Sequence, residues 1–196
     1  MIKRCADVTL ALAGIVVLLP LFVLTALLIK LDSAGPVLFV HERIGRGFRP
    51  FRMYKFRTMR VDAPLEGSVV TVRGDTRVTR MGRLLRRTKL DELPQLINVL
   101  SGEMSLVGPR PEVRRYVEQF RNDYEELLTV KPGITDPASL KYRDEETILA
   151  TAACPEDYYV HQVLPDKIQL SKKYVRSASF LGDLLILLRT IFRLPA

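Results

Sequence analysis

The sequence predicts an α/β domain that is α-rich with a small β element, associated with a membrane through an N-terminal re-entrant helix and interfacial amphipathic helices. Three observations lead there. Val8 to Ile29 is a run of 22 residues without a charge. Only two short segments, Val37–Val40 and Phe51–Met59, read as strands, and most of the remainder reads as helices and turns. The chain carries 30 basic against 22 acidic residues, with a pI near 9.7. Such an excess calls for an anionic partner: nucleic acid, an anionic membrane or a phosphorylated ligand. Arginine dominates it, and the planar guanidinium fork suits phosphate.

A length of 196 residues suits one domain with its own core. Residues 1–30 form the membrane segment and 31–196 the cytoplasmic part of one structural unit, ending in an interfacial helix. The two cysteines, Cys5 and Cys154, are too few for a disulfide framework and too widely spaced for a CxxC metal site, which favours a reducing, cytoplasmic setting.

The apolar run would reach about 33 Å as a straight helix, enough to cross a bilayer. Pro20 sits just past its middle, where it removes a helical hydrogen bond and bends the axis. Lys3 and Arg4 precede the run and Lys30 follows it, so positive charge flanks both ends. The positive-inside tendency places both flanks on the cytoplasmic side. A helix that enters, breaks at Pro20 and returns meets both conditions. A kinked spanning helix, a signal peptide and a buried core helix are the competing readings. The signal peptide lacks a small-x-small cleavage site, and a core helix seldom runs this far without a charge.

Beyond it, Asp32–Pro36 is a turn cluster, and Gly45-Arg46-Gly47 is a flexible basic turn. In Phe51–Met59, apolar and basic residues alternate, with Phe51, Met53 and Phe56 pointing inward and Lys55 and Arg57 on a basic face. Residues 60–75 read as a loop. Val78–Arg87 is helical, with Met81, Leu84 and Leu85 on one face. Pro94–Leu100 is a short helix stopped by Ser101-Gly102. Glu112–Leu128 is a polar helix, with Pro111 serving as its first residue. Lys131–Pro137 is a turn, and residues 138–165 have no clear pattern. Ile168–Tyr174 and Phe180–Phe192 are helical. The second is apolar but too short and too charged to span, so it suits the headgroup plane or a core.

Chemistry concentrates around Asp91-Glu92. Thr88, three residues earlier, makes a capping box and an ordinary helix start the plain explanation. The alternative is a nucleophile or a metal ligand: a carboxylate can attack phosphorus, and Mg²⁺ takes one or two carboxylates together with substrate phosphates. Arg73, Arg77, Arg80, Arg83, Arg86, Arg87 and Lys89 put seven positive charges into 17 residues beside the pair. A solvated or lipid-facing surface explains them equally well. A nucleic-acid surface is weaker, because the chain has no Trp and no recognition motif. In Gly108-Pro109-Arg110-Pro111 two prolines stiffen the backbone around one guanidinium, as bidentate phosphate binding requires. His41 and His161 are isolated, so no zinc site is indicated. No serine stands in a G-x-S-x-G setting and no Walker or dinucleotide glycine pattern occurs.

Taken in order, these motifs resemble the bacterial sugar transferases, specifically the small monotopic phosphoglycosyl transferases. The resemblance rests on the apolar segment with its proline, Arg43-Ile44-Gly45-Arg46, Tyr54–Met59, Arg86 and Leu90–Leu96. It continues through Asn98–Ser105, Val107–Pro111, Lys131–Thr135, Tyr174-Val175-Arg176 and Phe180–Leu184. It implies transfer of a phospho-sugar from a UDP-sugar to polyprenol phosphate, opening the synthesis of a glycoconjugate. Under it Asp91 is the nucleophile that carries the phospho-sugar, and Glu92 supports it, both on Mg²⁺. Lys55, Arg57, Arg86, Arg110 and Pro111 bind substrate, and Pro20 shapes the membrane hairpin. It further implies anionic lipids of the cytoplasmic leaflet of a bacterial inner membrane as a surface, downstream glycosyltransferases as partners, and no nucleic acid. Two departures stand out. Leu19 precedes Pro20 where many members have Ser. Asp136-Pro137-Ala138-Ser139 replaces the usual Gly-Trp-Ala-Gln, so the sugar is not implied.

Overall fold

The computed structural model describes residues 2–61 and 70–192. Half of the loop expected at 60–75, with Ser68, lies outside them, as does Arg193. What is described is helix-rich with two small sheets and one long apolar N-terminal helix.

That helix, α1, spans Ile2–Asp32. Asp7, Ala11, Thr25 and Ile29 form a buried stripe at heptad-like spacing, while Val16, Val17, Leu19, Val23, Leu27 and Leu31 are exposed. Both ends are tied to the same domain. Lys3 donates to Val107 O (3.0 Å) and Arg4 to Val99 O (2.6 Å). The Asp7 carboxylate accepts from Ser105 Oγ (2.8 Å) and the Leu106 amide (3.1 Å). At the far end Asp32 accepts from the Met81 amide (2.9 Å). The expected division at Pro20 does not interrupt the helix, which runs through the proline as one element. A proline costs one backbone bond and a bend, and the turns on both sides of Pro20 remain seated by the stripe.

Strands β1 (Leu38–Ile44) and β2 (Pro50–Phe56) form an antiparallel hairpin, in register Leu38↔Phe56 and Ile44↔Pro50. Phe51 and Met53 are buried, as the alternation predicts, and so is Phe56, which lies past the slip in the pattern at Lys55. β1 extends past Val40 because it pairs with β2 through polar His41, Glu42 and Arg43, which apolar patterning does not register.

Helix α2 (Arg80–Thr88) starts where Thr79 Oγ1 accepts from the Gly82 amide (2.9 Å). Leu85 is its buried anchor, joining Ile29 and Phe56 in a small core. Gly82 faces Thr58 so closely that a β-carbon would lie 2.1 Å from the Thr58 carbonyl oxygen. This contact holds α2 against the end of β2. α3 spans Gln95–Ser101 and is closed by Gly102 at φ +89°, the left-handed cap that glycine allows.

β3 (Ser105–Val107) and β4 (Gly133–Thr135) pair in parallel. A β-carbon on Gly133 would lie 2.1 Å from the Gly108 nitrogen, so the two backbones meet at bare glycines on the approach to Arg110. The single helix expected over Glu112–Leu128 is two, α4 (Arg114–Gln119) and α5 (Arg121–Leu127), broken where Phe120 takes φ −113°, ψ 36°. Pro111 is not the first helical residue. Val113 is extended at the cap, and the Glu112 carbonyl is occupied by the Ile44 amide (3.0 Å), which delays the helix to Arg114.

The unpatterned region holds α6 (Pro137–Lys141), α7 (Glu145–Ala150), α8 (Pro155–Tyr158) and a π turn at Tyr159–Val163. α9 runs from Leu164 to Ser177, longer at both ends than the Ile168–Tyr174 expected. The largest core gathers Tyr116, Tyr124, Leu127, Leu149, Tyr159 and Leu164 from α4, α5, α7, α9 and the π turn. α10 spans Phe180–Phe192 as expected. It buries Asp183 and Ile186 but exposes Phe180, Leu181, Leu184, Leu185, Leu188, Ile191 and Phe192. Asp183 pairs with Lys3 and accepts from Tyr174 Oη (2.7 Å), which sets α10 beside the start of α1.

Candidate active site

Asp91 and Glu92 sit in a 3-10 turn, Leu90–Glu92, that joins α2 to α3. The capping box does not form. Thr88 ends α2 and its hydroxyl donates backward to Leu84 O (2.8 Å), so it does not reach forward to cap a new helix. Lys89 turns the chain at φ +61°, its amide closing α2 on Arg86 O (3.2 Å). The acids therefore sit on a tight corner rather than on a helix, and their side chains diverge.

Glu92 is clamped. Lys55 Nζ from β2 approaches Oε1 at 2.9 Å, and Arg110 Nη1 from the Pro-Arg-Pro corner donates to Oε2 at 3.0 Å, with Nη2 bonded to Oε1. Asp91 is only 7 % exposed, and its buried Oδ1 has no hydrogen-bond partner among the described residues. A buried carboxylate oxygen left free is costly unless something is to bind there.

The two acids are driven apart in acidity. Burial and the neighbouring Glu92 charge push Asp91 up to about 6, against the pull of Lys55, Arg86 and Lys89. Burial would also raise Glu92, but the Arg110 and Lys55 charges outweigh it and hold it well below the usual carboxylate range. Divergence of this kind separates the roles of paired acids: Glu92 is a fixed anion, and Asp91 is an unsolvated carboxylate poised near neutrality.

Arg86 reaches the same corner, its charge acting on Asp91. It donates through Nε to Glu146 Oε1 (2.7 Å) and through Nη1 to Thr58 Oγ1 (3.4 Å). Arg57 does not come to the site. Its guanidinium is spent on Ser33 O (2.7 Å), Ser33 Oγ (3.0 Å) and Ala34 O, tying the end of α1 to β2. The alternation slips near Lys55, and that slip sends Lys55 to the acids and Arg57 into the turn after α1. Pro111 is buried behind Arg110 and stiffens the corner.

Behind Arg110 lies a buried network that sequence reasoning missed. Glu112 accepts from Arg43 Nη1 (3.1 Å) and Tyr159 Oη (2.7 Å), and Lys167 reaches Glu145 (2.7 Å) and Tyr159 Oη (3.4 Å). Its only sequence signal is Glu112 directly after the Pro-Arg-Pro corner. Tyr159 and Lys167 come from a region with no readable pattern.

The donors fit a divalent cation in part. Among the described residues no three His, Cys, Asp or Glu side chains converge. Asp91, with a free oxygen, suits a Mg²⁺ whose other ligands are substrate phosphates and water. Glu92 does not suit it, because both its oxygens are committed to Lys55 and Arg110.

This geometry sits in a chain whose residues 1–195 match the family model described as bacterial sugar transferase. The chain belongs to the bacterial sugar transferase family. It is 40 % identical, over 97 % of its length, to a UDP-N-acetylgalactosamine-undecaprenyl-phosphate N-acetylgalactosaminephosphotransferase of Aeromonas hydrophila, and covers 43 % of that protein. Over 62 % of its length it is 47 % identical to a putative undecaprenyl-phosphate N-acetylgalactosaminyl 1-phosphate transferase of Bacillus subtilis, of which 68 % is covered. It is 36 % identical over 98 % of its length to a UDP-glucose:undecaprenyl-phosphate glucose-1-phosphate transferase of Escherichia coli, covering 40 % of that protein. The chain thus spans less than half the length of the Aeromonas and Escherichia relatives.

Proposed function

We propose that this bacterial sugar transferase moves a phospho-sugar from a UDP-sugar to polyprenol phosphate through an Asp91 intermediate. The observation that carries the reading is the split corner: Asp91 buried with an unpartnered oxygen, next to Glu92 held by Lys55 and Arg110. An Asp91 oxygen bonds to the β-phosphorus, the bond from that phosphorus to the bridging oxygen breaks, and UMP leaves. A polyprenol-phosphate oxygen then attacks the same phosphorus and frees Asp91, giving polyprenyl-diphosphate-sugar. Arg86 and the Lys55–Glu92–Arg110 clamp supply charge aimed at the diphosphate. Mg²⁺, held by Asp91 and the phosphates, would add Lewis-acid neutralisation. The relatives named above differ in their sugars, so the reading extends to UDP-sugars as a class.

The decisive test is UMP release from a UDP-sugar without lipid, stoichiometric with enzyme, together with a phospho-sugar mass on the Asp91 peptide. Release only when polyprenol phosphate is present, with no labelled peptide, would replace the two-step route by direct displacement. Because Asp91 must be anionic to attack, the first half-reaction is expected to fall as pH drops through about 6. A rate independent of pH between 5 and 7 would remove Asp91 as the attacking group.

The seat is the cytoplasmic face of the bacterial inner membrane, over anionic lipid, where later glycosyltransferases collect the product. Supporting it are the exposed apolar faces of α1 and α10, the positive flanks, and the attachment of both ends of α1 to one domain. A re-entrant α1 keeps both ends on one side. Cys5 and Cys154 are both exposed, so an impermeant thiol reagent applied to intact cells should label neither, and both should react in inside-out vesicles. Labelling of Cys5 from outside would establish a span instead.

A further inference from the structure

Glu146, outside the expected site, bonds directly to one of its members, Arg86. It lies in the first turn of α7, within the stretch to which neither motif nor pattern gives a role. Its carboxylate takes the Arg86 Nε–H at 2.7 Å and also bonds Nη2. The placement is rigid. Leu149 of the same helix is fully buried in the main core, the Glu146 carbonyl accepts from the Arg73 amide (3.1 Å), and the adjacent Glu145 pairs with Lys167 at 2.7 Å.

Donor arithmetic says what this contact does. A guanidinium has five N–H donors in a fixed fork. Glu146 takes the Nε donor and one on Nη2, and Thr58 Oγ1 takes one on Nη1. Among the described residues two donors remain unspent, one on each terminal nitrogen, the pair that a phosphate accepts bidentately. Carboxylate and hydroxyl together fix the plane of the fork and leave its open end free. The pair is itself partly exposed, 20 % for Arg86 and 35 % for Glu146, and ion pairs in that setting add little to stability. Its service is orientation.

We propose that Glu146 is a positioning residue that aims Arg86 at a phosphate of the nucleoside diphosphate, making α7 part of the donor site. This rests on the transferase reading above. It predicts a loss carried by binding of the donor rather than by the chemical step.

The test compares Glu146→Ala, Glu146→Gln, Arg86→Ala and the double variant. KM and kcat are read by UMP release with UDP-glucose or UDP-N-acetylgalactosamine, and Kd is read with UDP alone. Glu146→Ala should raise KM and the UDP Kd about 10-fold with kcat within about 2-fold, the size of one lost oriented contact. Glu146→Gln, which keeps an acceptor oxygen, should lie between it and the parent. In the Arg86→Ala background, removing Glu146 should change nothing further. An unchanged UDP Kd in Glu146→Ala, or full additivity with Arg86→Ala, would overturn the proposal. A parent protein that released no UMP from any of a panel of UDP-sugars would overturn the transferase reading instead, and the UDP-binding comparison would still decide the role of Glu146.

Discussion

Asp91→Asn is expected to abolish turnover and at the same time to stabilise the protein. Loss of the nucleophile should lower UMP release by roughly 10³- to 10⁶-fold, the scale seen when a catalytic unit loses its attacking group. Stability should move the other way. Folding raises the Asp91 pKa from 3.8 to about 6, so the ionised side chain opposes the folded state. That penalty is absent below the unfolded value near 4 and fully developed above about 6. A rise of that size corresponds to about 2–3 kcal/mol at pH 7, a gain the asparagine variant should show and then lose as pH falls below 4. Thermal unfolding in detergent at pH 7 and pH 4 measures both ends. A variant with reduced stability at pH 7, or one that still released UMP at the parent rate, would remove Asp91 as the buried nucleophile.

Glu92→Gln is expected to do the opposite to stability. Lys55 and Arg110 both converge on this one carboxylate. Neutralising it leaves two largely buried cations without a counter-charge, a change that costs about 3–5 kcal/mol in comparable buried pairs. The Glu92 pKa is lowered by folding. Its contribution is therefore present above the unfolded carboxylate value and lost as pH falls through the folded one. The gap between variant and parent should be widest near neutrality and close in acid. Activity should fall as well, because Lys55 and Arg110 lose the anchor that aims them. Urea unfolding at pH 7 and UMP release together test the clamp; equal midpoints would show that Glu92 does not hold it.

Part of this site was legible before any coordinates. Asp91-Glu92 and Arg110 announce themselves as adjacent acids and as a proline-locked guanidinium, features whose chemistry is local to a few residues. The inward pair Phe51 and Met53 follows from period-two alternation, and α10 and Gly102 follow from an apolar run and a helix stop. Other readings failed for identifiable reasons. Thr88 three residues before Asp91 has capping-box spacing, but the left-handed Lys89 between them turns the chain, so the hydroxyl faces back into α2. Glu112–Leu128 is polar and helical in pattern, yet its start is delayed by a backbone bond to Ile44 and its middle breaks at Phe120.

Arg57 shows the limit most clearly. On a strand face it looks equivalent to Lys55, two residues away. Which one meets the acids depends on where the turn after α1 presents its carbonyls, and that turn claims Arg57. The same holds for Glu146 and Tyr159, which lie 55 and 68 residues after Asp91 and have no local signature.

The apolar helix, the family and the adjacent acids are readable in the chain alone, because they depend on residue type, run length and near-neighbour spacing. Tertiary contacts alone clamp Glu92 between Lys55 and Arg110, leave Asp91 Oδ1 unbonded among the described residues, commit Arg57 to the turn after α1 and bring Glu146 of α7 to Arg86. Those assignments depend on which charges share a low-dielectric corner and which donors remain unspent there. Both are set by contacts between residues far apart in the chain.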